Sequence, residues 1–255
     1  DPIHPFAAGS GNLYTSEYFG SCLRALADRG VMCQWVPLYQ MPAEGLKSIL
    51  ATFASVFGRT WMWHVDKDIL LVGVKGEPHF DPLAWKAPWG EDVAADLRKA
   101  GFTDPDSLWD ARLGEVGPSP SPAQPGLINR DAHPSLEFLT ARAVGTNTLP
   151  ENILSVQQVL PQGAGSEFRR SLLRAAEARW AGMDGLAQAQ YEAALRLRPE
   201  SLEALQLFQE FLFYAARENL IAGRADQAGR LWIRAWELGG LEARLLSSWG
   251  ALWGR

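Results

Sequence analysis

Cysteine is scarce in this chain of 255 residues, with Cys22 and Cys33 the only two. Two thiols cannot build a disulfide framework, and no cysteine–histidine spacing here has the form of a metal site. Each lies in an apolar stretch, so both are expected in the core, and a reducing compartment suits them. Basic runs are missing too. With a net charge of −5 and a pI near 5.5, nucleic acid is not expected as a partner. The mild acidity tolerates a cationic substrate without specifying one. Long apolar runs are also lacking. The longest, around Leu205 to Ala216, is interrupted by Gln206, Gln209 and Glu210, and is too short and too polar to cross a bilayer. The chain opens on Asp1, with no signal peptide behind it. A soluble, cytoplasmic segment is the expectation. Hydrophobic residues at 47% supply enough apolar material for an ordinary globular core.

What is present reads first as α/β. Tyr14 to Asp28 has helical spacing, with Phe19, Leu23, Tyr18, Cys22 and Leu26 on one face, Thr15 or Ser16 as the cap and Gly30 as the stop. Val31 to Val36 is a short, nearly continuous apolar run, the pattern of a strand buried on both faces of a parallel sheet. Pro42 to Phe57 is a second helix that turns Leu46, Ile49, Leu50, Phe53 and Phe57 inward. Trp61–Val65 and Ile69–Val74 are two strands around the turn Asp66-Lys67-Asp68. A buried parallel strand needs neighbours on both sides, and a doubly wound domain carries a glycine-rich turn after its first strand, which is missing here. Residues 1–78 are therefore expected to be the back half of a Rossmann-like sheet.

Prolines punctuate residues 79–142, which are expected to hold helices at Glu91–Ala100 and Asp106–Leu113. A flexible linker at Gly114–Gly126 follows, then a segment, Leu127–Arg142, that packs on the first domain. Residues 143–255 read as an all-helical tail with an internal repeat. Gly182, Ala187, Tyr191 and Ala194 recur 41 positions later as Gly223, Ala228, Trp232 and Ala235, while Pro199 becomes Gly240. Small–aromatic–small spacing on a helix entered by glycine is the tetratricopeptide pattern. The offset exceeds that family's period, about 34, by seven residues, which two extra turns in a long helix Ser201–Ile221 would absorb. A generic antiparallel bundle is the plainer alternative.

The opening segment, Asp1-Pro2-Ile3-His4-Pro5, is a shaped loop ahead of a helix, where an open α/β sheet binds ligands at its carboxyl edge. With Leu13-Tyr14-Thr15-Ser16-Glu17-Tyr18-Phe19 and then Gly30-Val31-Met32-Cys33-Gln34-Trp35, it resembles the polyamine aminopropyltransferases, the spermidine synthase family. Thr52 to Phe57 is similar to that family's phenylalanine-containing helix end. Asn129 to Phe138 is similar to the segment closing the synthase-like region of larger, often membrane-anchored bacterial homologues, so a membrane-anchored parent is compatible with the resemblance. The likeness covers roughly residues 1–142.

The resemblance implies a methyltransferase-type Rossmann fold. It also implies transfer of an aminopropyl group from decarboxylated S-adenosylmethionine, a co-substrate and not a resident cofactor, to a diamine such as putrescine. Asp1 would match the second aspartate of the family's Asp-x-x-Asp-Pro and anchor the diamine. Pro5 would line the thioadenosine, and Gln34 would be the polar residue at the strand end. The first aspartate, the family's proton acceptor, would lie three positions before Asp1. His4 stands where the family has glycine, and Ala7–Asn12 lengthens the loop; both put the family's substrate in question. The segment alone is expected to be inactive without the half that holds the donor.

The alternative is a non-catalytic interaction protein whose helical tail takes a peptide or protein partner in a groove lined by Arg217, Arg224 and Arg234, the α/β part being a relic. A methyltransferase-fold enzyme acting on another acceptor is a third option. His64, Asp66 and Asp68 suit a polar hairpin turn. His79 with Asp81 suits a strand exit, and Asp131 with His133 another turn. Trp61, Trp63, Trp85, Trp89 and Trp109 suit packing, and no metal site is expected.

Overall fold

The computed structural model describes residues 3–7, 9–77, 89–116, 128–161 and 164–238. It is a mixed α/β protein with a small antiparallel sheet and ten helices among those residues. Asp1, His79, Asp81, Trp85, Gly240 and most of the expected linker lie outside them.

A 3-10 turn at Ser10–Tyr14 leads into α1 (Ser16–Ala25), capped by the Thr15 hydroxyl, which accepts from the Tyr18 amide. β1 (Val31–Pro37) follows, then α2 (Ala43–Phe57) and the hairpin of β2 (Thr60–Val65) and β3 (Asp68–Val74). The strand order is β1-β3-β2-β4, and every pairing is antiparallel. The sequence reading of β1 as a central parallel strand is thereby corrected. Among the described residues it is an edge strand, paired only with β3, and its first half is open to solvent, with Val31 57% exposed. Cys33 is exposed on that strand and Cys22 only half-buried, so the expected core cysteines are corrected as well. An apolar run reports where a strand can be buried, not the direction of its neighbour.

The sheet is covered on both faces. Met62, Ile69 and Leu71 point toward α2, whose Leu46, Ile49, Leu50, Phe53 and Phe57 are all buried, as the spacing predicts. Gly73 lets the Phe57 ring lie directly on β3, since a Cβ there would run into that ring. On the opposite face Trp61 and Trp63 pack with Phe102, Ala111 and Leu70 beneath α3 (Glu91–Lys99) and α4 (Pro105–Asp110). The expected helix over 106–113 ends at Asp110. Arg112–Val116 instead forms β4, the fourth strand, beside β2.

α5 (Ser135–Ala141) and α6 (Leu149–Val159) pack on α2. Fully buried Asn129 ties this region to the N-terminus. Its side-chain amide donates to the carbonyls of Gly11 and Tyr14, and its backbone N–H donates to the Thr52 hydroxyl. Two helical hairpins complete the described chain: α7 (Glu167–Trp180) with α8 (Asp184–Leu197), and α9 (Leu202–Ile221) with α10 (Ala225–Glu237). Their turns are equivalent. Gly182 and Gly223 both have positive φ, 73° and 75°. The next amide in each case donates five residues back, Met183 to Ala178 and Arg224 to Asn219, both at 2.8 Å. Ala187, Ala194, Ala228 and Ala235 are buried where the paired helices approach. α7 belongs to two cores: Leu173 and Ala176 join that of the sheet and α2, and Phe168, Leu172 and Ala175 join that of the hairpins.

Arg169 of α7 is fully buried. Two of its nitrogens donate to the two Glu203 carboxylate oxygens at 2.7 Å each. Nε donates to the Asp110 carbonyl at 3.2 Å, and Nη1 also reaches the His64 carbonyl at 3.4 Å. Breaking a buried pair by removing one partner leaves a stranded charge. Arg169→Met is therefore expected to lower stability by about 3–5 kcal/mol in denaturant titration. Arg169→Met with Glu203→Leu should recover only part of that, because the two carbonyls still lose their donor.

His64 is buried beside Arg169, and neither ring nitrogen has a hydrogen-bond partner of good geometry. Desolvation first, then the Arg169 charge, push its pKa down to about 3, and the Asp66 backbone compensates only weakly. The folded value lies below the unfolded one, near 6.5, so stability is complete above the unfolded value and falls as the pH drops below it. Between neutrality and pH 5 this residue should remove about 2 kcal/mol, a loss abolished in His64→Phe when unfolding is measured against pH.

Candidate functional site

The N-terminal loop lies across the carboxyl end of β1. Ser10 Oγ donates to the His4 and Ala7 carbonyls at 2.7 and 2.6 Å, folding the loop back on itself. The Tyr14 hydroxyl donates to the Ile3 carbonyl at 2.8 Å, and the Thr140 hydroxyl to that of Pro5 at 3.1 Å. These bonds fix His4 over the strand end. Its ring stacks on Phe6 with centroids 4.8 Å apart and meets Trp35 and Tyr39 edge-on at 5.1 and 5.7 Å.

Asp68, the first residue of β3, stands opposite Pro37 in the register, and its carboxylate hydrogen-bonds with the Trp35 side chain. Its other oxygen, Oδ1, is shut off from solvent and has no partner among the described residues; the same holds for His4 Nδ1. Burial raises the Asp68 pKa, and the Asp66 charge adds to this, while Trp35, Lys67 and His4 oppose it. The arrangement is a ring-walled recess with an unsatisfied carboxylate oxygen and an unpartnered ring nitrogen, complementary to a donor that carries positive charge.

Of the residues singled out in the sequence, His4 is in this recess. Gln34 stands one step behind it, bonded to Tyr14 and, through Nε2, to the Trp35 carbonyl at 3.0 Å. Pro5 is held through its carbonyl by Thr140, and Asp1 lies outside the described residues. Trp35 and Tyr39 were not singled out, and Asp68 was singled out only with His64 and Asp66, as part of a polar hairpin turn. Asp68 reads as turn polarity, and only the pairing of β3 with β1 carries it to the strand end. Asp66, with φ 52°, does hold the turn. Asp131 and His133 lie in an exposed turn closed by the Arg130–His133 bridge. Trp61 and Trp63 are core residues, as expected.

Beside the recess opens a cleft of about 790 Å³ that shares Tyr39 and Asp68 with it and is closed on the far side by the helical tail, through Trp180, Asp184 and Glu218. Two of the tail arginines expected to line a peptide groove have partners within the chain. Arg224 donates to Asn219 Oδ1 at 2.7 Å, and Arg234 pairs with Glu237 at 3.4 Å and Glu192 at 4.0 Å. Among the described residues, no cluster of three or more His, Cys, Asp or Glu has the arrangement of a metal site, and no helix is long and apolar enough to cross a membrane.

No family model matches the chain, and neither a curated protein nor a solved structure matches it.

Asp68→Asn is expected to leave the thermal midpoint at pH 7 unchanged or raised. A carboxyl whose folded pKa is raised is a liability while charged and contributes stability only once protonated, so the advantage of the variant should shrink as the pH falls. Thermal denaturation of both proteins across the acid range checks this.

Proposed function

We propose that this chain belongs to a spermidine synthase-like aminopropyltransferase, and that the recess at the end of β1 receives the acceptor amine. The observation that carries the reading is that Asp68 Oδ1 and His4 Nδ1 are both unpartnered and solvent-shielded, beside the rings of Trp35, Tyr39 and Phe6. A protonated amine is the natural complement: it donates to the Asp68 carboxylate, and to His4 Nδ1 when the neutral ring carries its proton on Nε2, and aromatic faces attract its charge. In this reading the free edge of β1 continues the sheet toward a donor-binding half of Rossmann-like form, and the two helical hairpins are tetratricopeptide-like.

The chemistry asks for such a recess. A primary amine has a pKa of about 10, so it arrives protonated and must lose a proton to attack. The proton passes to a carboxylate base, which the family resemblance assigns to an aspartate ahead of Asp1. The nitrogen lone pair then forms a bond to the aminopropyl carbon. The carbon–sulfur bond of the sulfonium breaks, its electron pair stays on sulfur, and methylthioadenosine leaves. Holding the amine in a fixed, partly desolvated slot supplies orientation for this in-line displacement. Asp68 and His4 act here as amine-positioning groups.

The parent protein, incubated with putrescine and decarboxylated S-adenosylmethionine, is expected to release methylthioadenosine, and Asp68→Asn to raise KM for the amine about tenfold or more, the loss of one charge-assisted hydrogen bond. The 255-residue chain alone is expected to give no turnover. A parent protein that forms no aminopropylated product with any amine would overturn the assignment and favour the interaction role.

A further inference from the structure

The cleft beside the recess is built from two parts of the chain that are far apart in sequence. Tyr39, Asp66 and Asp68 come from the sheet end, and Trp180, Asp184 and Glu218 from the turns and helices of the tail. Four carboxylates line it, and the cations facing them are Lys67 and Arg179, so the lining is net acidic. Its walls are aromatic on both sides, with Tyr39 from the sheet and Trp180 and Tyr214 from the tail. The Trp180 ring already attracts positive charge: Lys67 Nζ lies 5.1 Å and Arg179 Cζ 5.2 Å from its centroid. At the inner end the cleft reaches Asp68, whose Oδ1 is solvent-shielded and unpartnered.

A cavity lined by carboxylates from the sheet end and from the tail, with rings from both and an unpartnered carboxylate oxygen at Asp68, fits a long, flexible polycation. At about 790 Å³ its volume falls in the range of small-molecule sites, with room beyond what a four-carbon diamine fills. A second ammonium held against Glu218 and Asp184 can replace Lys67 or Arg179 over the Trp180 ring. A putrescine-sized ligand seated at Asp68 would leave the tail-side carboxylates unengaged.

We propose that this cleft holds the distal amino groups of a linear polyamine with three or more nitrogens, so that the helical tail is a wall of the acceptor site and selects for acceptor length. This rests on the amine reading of the recess and extends it. One end of the polyamine lies at Asp68 and His4, and the other runs between Tyr39 and Trp180 to Asp184 and Glu218.

The test is calorimetric titration of the 255-residue chain with putrescine, spermidine and spermine at fixed ionic strength. Spermine is expected to bind about tenfold more tightly than putrescine, the size that a partly exposed ion pair and a cation–π contact supply together. Glu218→Gln with Asp184→Asn should reduce that ratio to about twofold while leaving putrescine affinity unchanged, and Asp68→Asn should weaken all three ligands. Glu91→Gln, an exposed carboxylate elsewhere, should change nothing. Equal affinities for the three amines, or a loss of spermine binding in Glu91→Gln as large as in the tail variants, would overturn the length-selecting cleft and leave the Asp68 recess standing. Failure of every amine to bind would remove both.

Discussion

A guanidinium shut away from water is the constraint on which the arrangement of this protein turns. Arg169 cannot be left unpaired inside the fold, and its fork has acceptors from Glu203, Asp110 and His64. Those residues lie at the start of α9, the end of α4 and the end of β2. Satisfying one side chain therefore sets the angle at which the helical hairpins meet the sheet. The cleft between Tyr39 and Trp180 lies between the parts that this contact joins. His64 shares the consequence: burial first, and the Arg169 charge second, hold the imidazole neutral.

The rim of the sheet is organised in a different way, by many weaker neutral bonds. Tyr14, Thr140 and Ser10 each take a carbonyl of the opening loop, and Asn129 holds the turn that carries Tyr14. Of these contacts, only the Ser10 bond falls on a residue of the recess, and it takes the backbone carbonyl of His4, not its ring. Their effect is to hold His4 against Trp35 and Tyr39 in a segment with no regular secondary structure of its own. Preorganisation of that kind is what a site for a small, flexible cation requires, because the ligand itself contributes a large entropic cost on binding.

How much was legible in the sequence varied with the range of the interaction. α2 could be read because its apolar positions repeat along one helix, and the hairpin turns because Gly182 and Gly223 recur with the same small residues after them. β4 could not. Arg112–Val116 is five residues with an internal glycine, directly after a helix, and only its pairing with β2 defines it. The direction of β1 was hidden for a similar reason, since an apolar run carries no information about the strand beside it. Of the recess, the sequence offered His4 and the nearby Gln34, which adjoin a recognisable loop and strand end. Asp68 was hidden by its place in an ordinary-looking turn, because its role depends on a partner more than thirty positions earlier in the chain.

The helix α7, with one face in each apolar core, has a consequence for how the chain could have been assembled. Among the described residues, parting sheet from tail on either side of α7 opens apolar surface on both sides. A gene split ahead of α7 would uncover Leu149, Ile153 and Val156 on one product, and Leu173 and Ala176 on the other, so neither half would be a tidy module. Whatever the ancestry of the two halves, both now bury apolar surface on one shared helix.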